Sequence, residues 1–134
     1  MKRKTIIPQK STSSLKEAFN IDLDIINSQI KQVRDKFSEA SEDGKISQIE
    51  LDRIVLELRI LEKLLICFLD KEFNDSMQKS RREFTERYEE ICKLPPRVQT
   101  QKMQELYKEH ILFYFGELIR VSTRAMFLTL SQDG

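Results

Sequence analysis

The chain has only three glycines, at positions 44, 116 and 134, and only three prolines, at 8, 95 and 96. Residues 15–43, 45–94 and 97–115 therefore contain neither residue. Gly and Pro raise the cost of continuing a helix more than any other residue, so in these stretches helix is the easiest backbone state. The punctuation cuts the chain at Gly44 and at Pro95-Pro96 and predicts a few long helices joined by short corners. No strand-like alternation of useful length competes with that reading, and no internal repeat of fixed period is present.

Apolar spacing supports it. Ser14 and Glu17 make a capping-box pair that predicts the start of a first helix running to about Ala40. Within it Phe19, Leu23, Ile26, Ile30, Val33 and Phe37 recur at alternating intervals of four and three, which places them in one seam. Ser41 to Gly44 form the first corner, with Gly44 suited to the left-handed position after a helix end. Ser47 and Glu50 repeat the capping-box spacing and open a second helix. Leu51, Ile54, Leu58, Leu61, Leu65 and Phe68 form its seam, and Val55, Ile60, Leu64 and Leu69 widen it, predicting burial on more than one side. Helix propensity falls at Asn74-Asp75-Ser76, so a break or kink is expected there, ahead of a third helix from about Ser76 to Lys93. One unbroken helix through this junction is the alternative. Pro95 disfavours helix at Leu94, and Pro96 suits the first turn of a fourth helix from about Arg97 to Leu130. The first connection is short, so helices 1 and 2 should be antiparallel neighbours. The expected fold is all-α: an antiparallel bundle of three to four long helices in one domain, residues 15–134, behind a flexible basic arm, residues 1–14.

Charge and cysteine content narrow the function. The arm carries Lys2, Arg3, Lys4 and Lys10 without an acid, which leaves residues 15–134 with 19 bases and 22 acids. A body so close to neutral argues against a main surface that tracks phosphates. Charged residues are 34% of the chain, above the usual quarter, as suits helices with solvated outer faces. Cys67 and Cys92 form no Cys-x-x-Cys pair, and the N-terminus carries no continuous apolar stretch of a secretory signal. A cytoplasmic protein with two free thiols is the expectation. Two cysteines and one histidine are too few for a four-ligand Cys/His zinc site, and no metal or cofactor is expected.

Residues 39–50 resemble a degenerate EF-hand loop, with Gly44, Ile46 and Glu50 at its sixth, eighth and twelfth positions. Glu39 and Ser41 stand where the first and third positions need a short carboxylate and a second charge, so the segment reads as a helical corner. A polar line, His110, Tyr114, Glu117, Arg120 and Arg124, follows helical spacing through an apolar fourth helix. It reads either as a buried polar network or cleft with His110 or Glu117 moving a proton, or as a narrow solvent-facing stripe of surface ion pairs; the second is the expectation. Glu117, Arg120 and Arg124 in mid-segment argue against a membrane span at 111–130. Gly116 inside that helix predicts close approach of a neighbouring helix.

Two apolar seams and a fourth helix that is apolar nearly all round offer more apolar surface than one small bundle hides. The sequence therefore predicts a non-enzymatic protein–protein interaction protein, an adaptor, small chaperone or assembly factor, joined to another protein or to itself. Phe19, Leu23, Ile26, Ile30, Phe113 and Phe127 are the expected contact residues. The alternative is a nucleic-acid accessory protein that uses Lys2, Arg3 and Lys4 of the arm with Lys79, Arg81 and Arg82 as backbone clamps. No small-molecule substrate and no membrane partner are expected.

Overall fold

Two polar side chains decide where helices begin. At Ser47 the backbone is extended, its hydroxyl accepts the Glu50 N–H at 3.2 Å, and the Glu50 carboxylate accepts the Ser47 N–H at 2.9 Å. This reciprocal capping box starts a helix where the sequence predicts one. At Asp70 the carboxylate accepts the Phe73 N–H at 2.7 Å and starts another. The structure, a computed structural model, describes the backbone of residues 11–41 and 46–133, and the side chains of residues 23–40 and 46–128. Across these residues run four helices and no strand: α1 (Ser11–Ser41), α2 (Gln48–Leu64), α3 (Lys71–Ile91) and α4 (Pro96–Asp133). The all-α reading holds. Residues 1–10 of the arm and the corner at 42–45, with Gly44 and most of the EF-hand-like segment's turn, lie outside the described residues.

Two boundaries differ from expectation. Helix α1 already includes Ser11 to Ser14, so Ser14 lies inside the first turn and does not cap it. No breaker follows Pro8, and nothing in Ser-Thr-Ser-Ser prevents the helix from extending back. The junction between α2 and α3 falls at residues 65–70, not at Asn74-Asp75-Ser76. Leu65 is fully buried, the chain turns through one 3-10 turn at Ile66–Phe68, and Asp70 captures the next free N–H. Asn74, Asp75 and Ser76 then occupy the opening turns of α3, with the Asn74 N–H donating to the Asp70 carbonyl. The unbroken-helix alternative is excluded. The second corner is as read: the Pro95 carbonyl accepts the Val98 and Gln99 N–H groups, and the Gln99 amide donates to the carbonyls of Cys92 and Leu94.

Side-chain pairs set the topology. Tyr107 meets Asp52, Tyr114 meets Glu62 and Arg124 meets Asp70, so α2 and α4 run parallel. Glu72 meets Arg120, Ser80 meets His110 and Arg87 meets Glu109, so α3 runs antiparallel to α4. Phe37 of α1 stacks on Phe115 of α4 with ring centroids 5.8 Å apart. Helices α1, α2 and α4 adjoin one another in a three-helix body, whereas among the described elements α3 runs along α4 alone. The core of the body is Ile26, Val33, Leu51, Ile54, Leu58, Leu61, Leu65, Leu118 and Val121, and Phe73 and Met77 bring the start of α3 into it.

Helix α4 has 38 residues and is about 57 Å long at 1.5 Å per residue. With Tyr107 level with the first turns of α2, its residues 96–106 run on past the start of the body beside the end of α3. Ile91 and Leu106 are buried in this two-helix tip, apart from the main core.

Candidate interaction surfaces

The polar line of α4 is not a solvent-facing stripe. It faces α2 and α3, and each of its members with a described partner bonds across a helix interface or to the line itself. The Tyr114 hydroxyl donates to the Glu62 carboxylate of α2, and burial followed by that hydrogen bond pushes its pKa up. Arg120 reaches Asp70 at 3.3 Å, Glu72 at 2.9 Å and Glu117 at 3.3 Å, and Arg124 reaches Asp70 at 2.6 Å. Hydrogen bonds from Arg120 and from the Phe73 N–H are the main causes holding the Asp70 carboxyl down at about 2. The Glu117–Arg120 pair one helical turn apart is as expected, but the stripe does not face solvent, because the other acids that match these arginines, Asp70 and Glu72, lie on the far side of a turn.

His110, the single histidine, has Nδ1 3.0 Å from the Ser80 hydroxyl and its ring 5.1 Å from that of Phe84. Burial, helped by the Arg81 charge, lowers its pKa, which favours the neutral ring. A Ser–His contact is one element of hydrolytic chemistry. Here both residues sit in mid-helix, where backbone N–H groups are committed to the helix and none is free to form an oxyanion hole beside them. The contact ties α3 to α4.

Because α3 adjoins only α4, a groove of about 450 Å³ opens between α2 and α3 with α4 as its floor. Tyr107, His110, Ile111 and Tyr114 form the floor, Val55, Arg59, Glu62 and Lys63 one wall, and Met77 and Arg81 the other. Tyr107 donates to Asp52 at 3.3 Å, and burial with that nearby carboxylate raises its pKa. The floor was legible in part: Tyr107, His110 and Tyr114 stand three and four residues apart, on one helical face. The walls were not, since nothing local joins Arg59 to Arg81.

The expected contact residues divide. Ile26 and Ile30 are buried in the chain's own core and Leu23 packs against it, so the α1 seam closes the bundle and offers no face to a partner. The Phe19 side chain lies outside the described residues. Phe113 and Phe127 are exposed, Phe127 at 70%. A methyl added at Gly116 would meet nothing within 4 Å among the described residues, so the expected close approach of a neighbouring helix is not found there. Ile60, expected to widen the buried seam of α2, instead stands 47% exposed on the opposite, outer face, because the bundle covers only the Leu51–Leu58 side; with it stand Ile49 and Leu56, 66% and 58% exposed, which the sequence did not single out. Of the basic clamp residues, Lys79, Arg81 and Arg82 are all exposed, but Arg81 turns into the groove. Lys2, Arg3 and Lys4 lie outside the described residues. Cys67 and Cys92 are free and exposed. Among the described residues no group of His, Cys, Asp or Glu could hold a metal ion, and no helix is long and apolar enough to cross a membrane. In comparisons with known proteins the chain matches no family model, no curated protein and no solved structure.

Proposed function

We propose that the chain is a non-enzymatic helical interaction protein, an adaptor or assembly factor of a reducing cytoplasm, that associates with another protein or with a second copy of itself. One observation carries the reading. Ile49, Leu56 and Ile60 are seven and four residues apart and form a line along α2 opposite the face that Leu51, Ile54, Leu58 and Leu61 bury. The helix is thus apolar on two opposite sides, and its own bundle covers one. Covering a Leu or Ile side chain stabilises by about 1.5–3 kcal/mol relative to leaving it in water, so three on a line make a usable anchor. Phe113 and Phe127 on α4 add exposed aromatic surface of the kind found at binding sites.

The test is solution mass and partner binding for the full chain and for Leu56→Asp with Ile60→Asp. Both residues are exposed, so the variant keeps its helical circular dichroism. The native chain is expected in a dimer or a complex of fixed stoichiometry that tolerates salt, and the variant outside it. A native chain that stays a monodisperse monomer and takes up no partner stoichiometrically overturns the reading.

A further inference from the structure

We propose that the groove between α2 and α3 is a binding site for an organic anion, a carboxylate or phosphate monoester on an apolar or aromatic body, gripped between Arg59 and Arg81. The inference does not depend on the outer face of α2.

Unequal pairing of charge is the first ground. Glu62 is the one acid among the groove's lining residues, and it keeps its charge while accepting the Tyr114 hydroxyl, as nearby Asp52 does while accepting that of Tyr107. Three cations line the same groove against that single acid. Arg59, Lys63 and Arg81 make no ion pair with any described residue. Arg81 has Met77, Gln78, Phe84 and Thr85 as its helical neighbours at three and four residues, and none is an acid. Elsewhere on the same two interfaces arginines find carboxylates readily: Arg87 has Glu109, and Arg120 has three.

Placement is the second. Arg59 and Arg81 stand on opposite walls, on helices that do not adjoin, and the charges of both act on Tyr114 between them. Two like charges facing across a gap repel, and an anion between them turns that repulsion into two charge-assisted hydrogen-bonded contacts. Guanidinium forks match the planar oxygens of carboxylate and phosphate.

Lining and size are the third. Val55, Met77 and Ile111 are apolar, and the rings of Tyr107, His110 and Tyr114 give a flat floor. About 450 Å³ falls in the range of small-molecule sites and exceeds what a bare inorganic anion fills. The ligand is therefore an anion with a body.

His110 is the only histidine, so its ring resonances report the groove without assignment ambiguity. The full chain is titrated by NMR with phenyl phosphate, with benzoate, and with uncharged benzyl alcohol. A saturable shift of the His110 signals is expected with at least one anion and not with the alcohol, and the tighter anion names the headgroup. Arg59→Gln and Arg81→Gln are each expected to weaken it about tenfold, the loss of one charged hydrogen bond, while Arg82→Gln leaves it unchanged. Equal response to anion and alcohol, no saturable response to either anion, or unchanged binding in the two groove variants overturns the proposal. The first two comparisons use the native chain and need no variant to fold.

Discussion

Helices α2 and α3 flank the same helix, α4, but are attached to it by different chemistry. Helix α2 buries Leu51, Ile54, Leu58, Leu61 and the following Leu65 almost completely, and its polar links to α4, through Asp52 and Glu62, are secondary. Helix α3 is longer, at 21 residues, yet buries only Phe73, Met77 and Ile91. It is held by polar links spread along its length: Asp70 and Glu72 to Arg120 and Arg124 at one end, Ser80 to His110 in the middle, Arg87 to Glu109 towards the tip. Apolar burial is non-directional and cumulative, whereas partly exposed ion pairs each contribute little. The body is therefore the stable unit, and α3 is a strap across it. The same asymmetry opens the groove, because a strap fastened to one helix leaves a gap beside the other.

Four expected outcomes sharpen or break this contrast. The largest belongs to the body. Leu58→Ala removes a fully buried side chain and is expected to cost about 2–5 kcal/mol, read as a shift of the whole urea transition. Less than about 1 kcal/mol would mean the body is not the stable unit.

The next belongs to the strap. Asp70→Asn keeps a side chain that caps well but removes the charge that Arg120 and Arg124 share, at an expected cost of about 1 kcal/mol at neutral pH. Its pH signature separates charge from packing. The Asp70 carboxyl is held at about 2, below its ordinary 3.8, so its contribution is fully present above about pH 4 and fades as pH falls towards 2. Urea midpoints of the native chain should fall over that window more than those of the variant. Parallel curves would show that the pairing with Arg120 and Arg124 does not stabilise the fold.

The smallest concerns the outer face of α4, which neither unit covers. Gly116→Ala adds a methyl into open space in mid-helix and is expected to stabilise the isolated chain by about 0.5–1 kcal/mol, raising Tm. A lower Tm would mean that something already packs there.

Local signals were legible in the sequence and distant ones were not. The capping box at Ser47 and Glu50 and the corner at Pro95-Pro96 act over four residues or fewer, and both helices start where they say. The turn at 65–70 was misread because Leu64 to Leu69 continue the helical apolar pattern, and the chain leaves the helix only once Leu65 is buried and Asp70 has found an N–H. The α4 polar line was visible as a line. Its direction was not, since Glu62, Asp70 and Ser80 lie 30 to 54 residues from the partners they meet. Likewise the α1 seam was correctly seen as a seam, but its use, in the chain's own core, depends on where α4 crosses it. Arg59 and Arg81 become a pair only through the path of α3.

Native-state hydrogen exchange tests the strap most directly. The amides of α2 around Leu58 and Leu61 are expected to exchange only through global unfolding, and those of α3 from Ser80 to Tyr88 through a smaller opening that responds less to urea. Equal protection in both helices, with the same urea dependence, would contradict the division into body and strap.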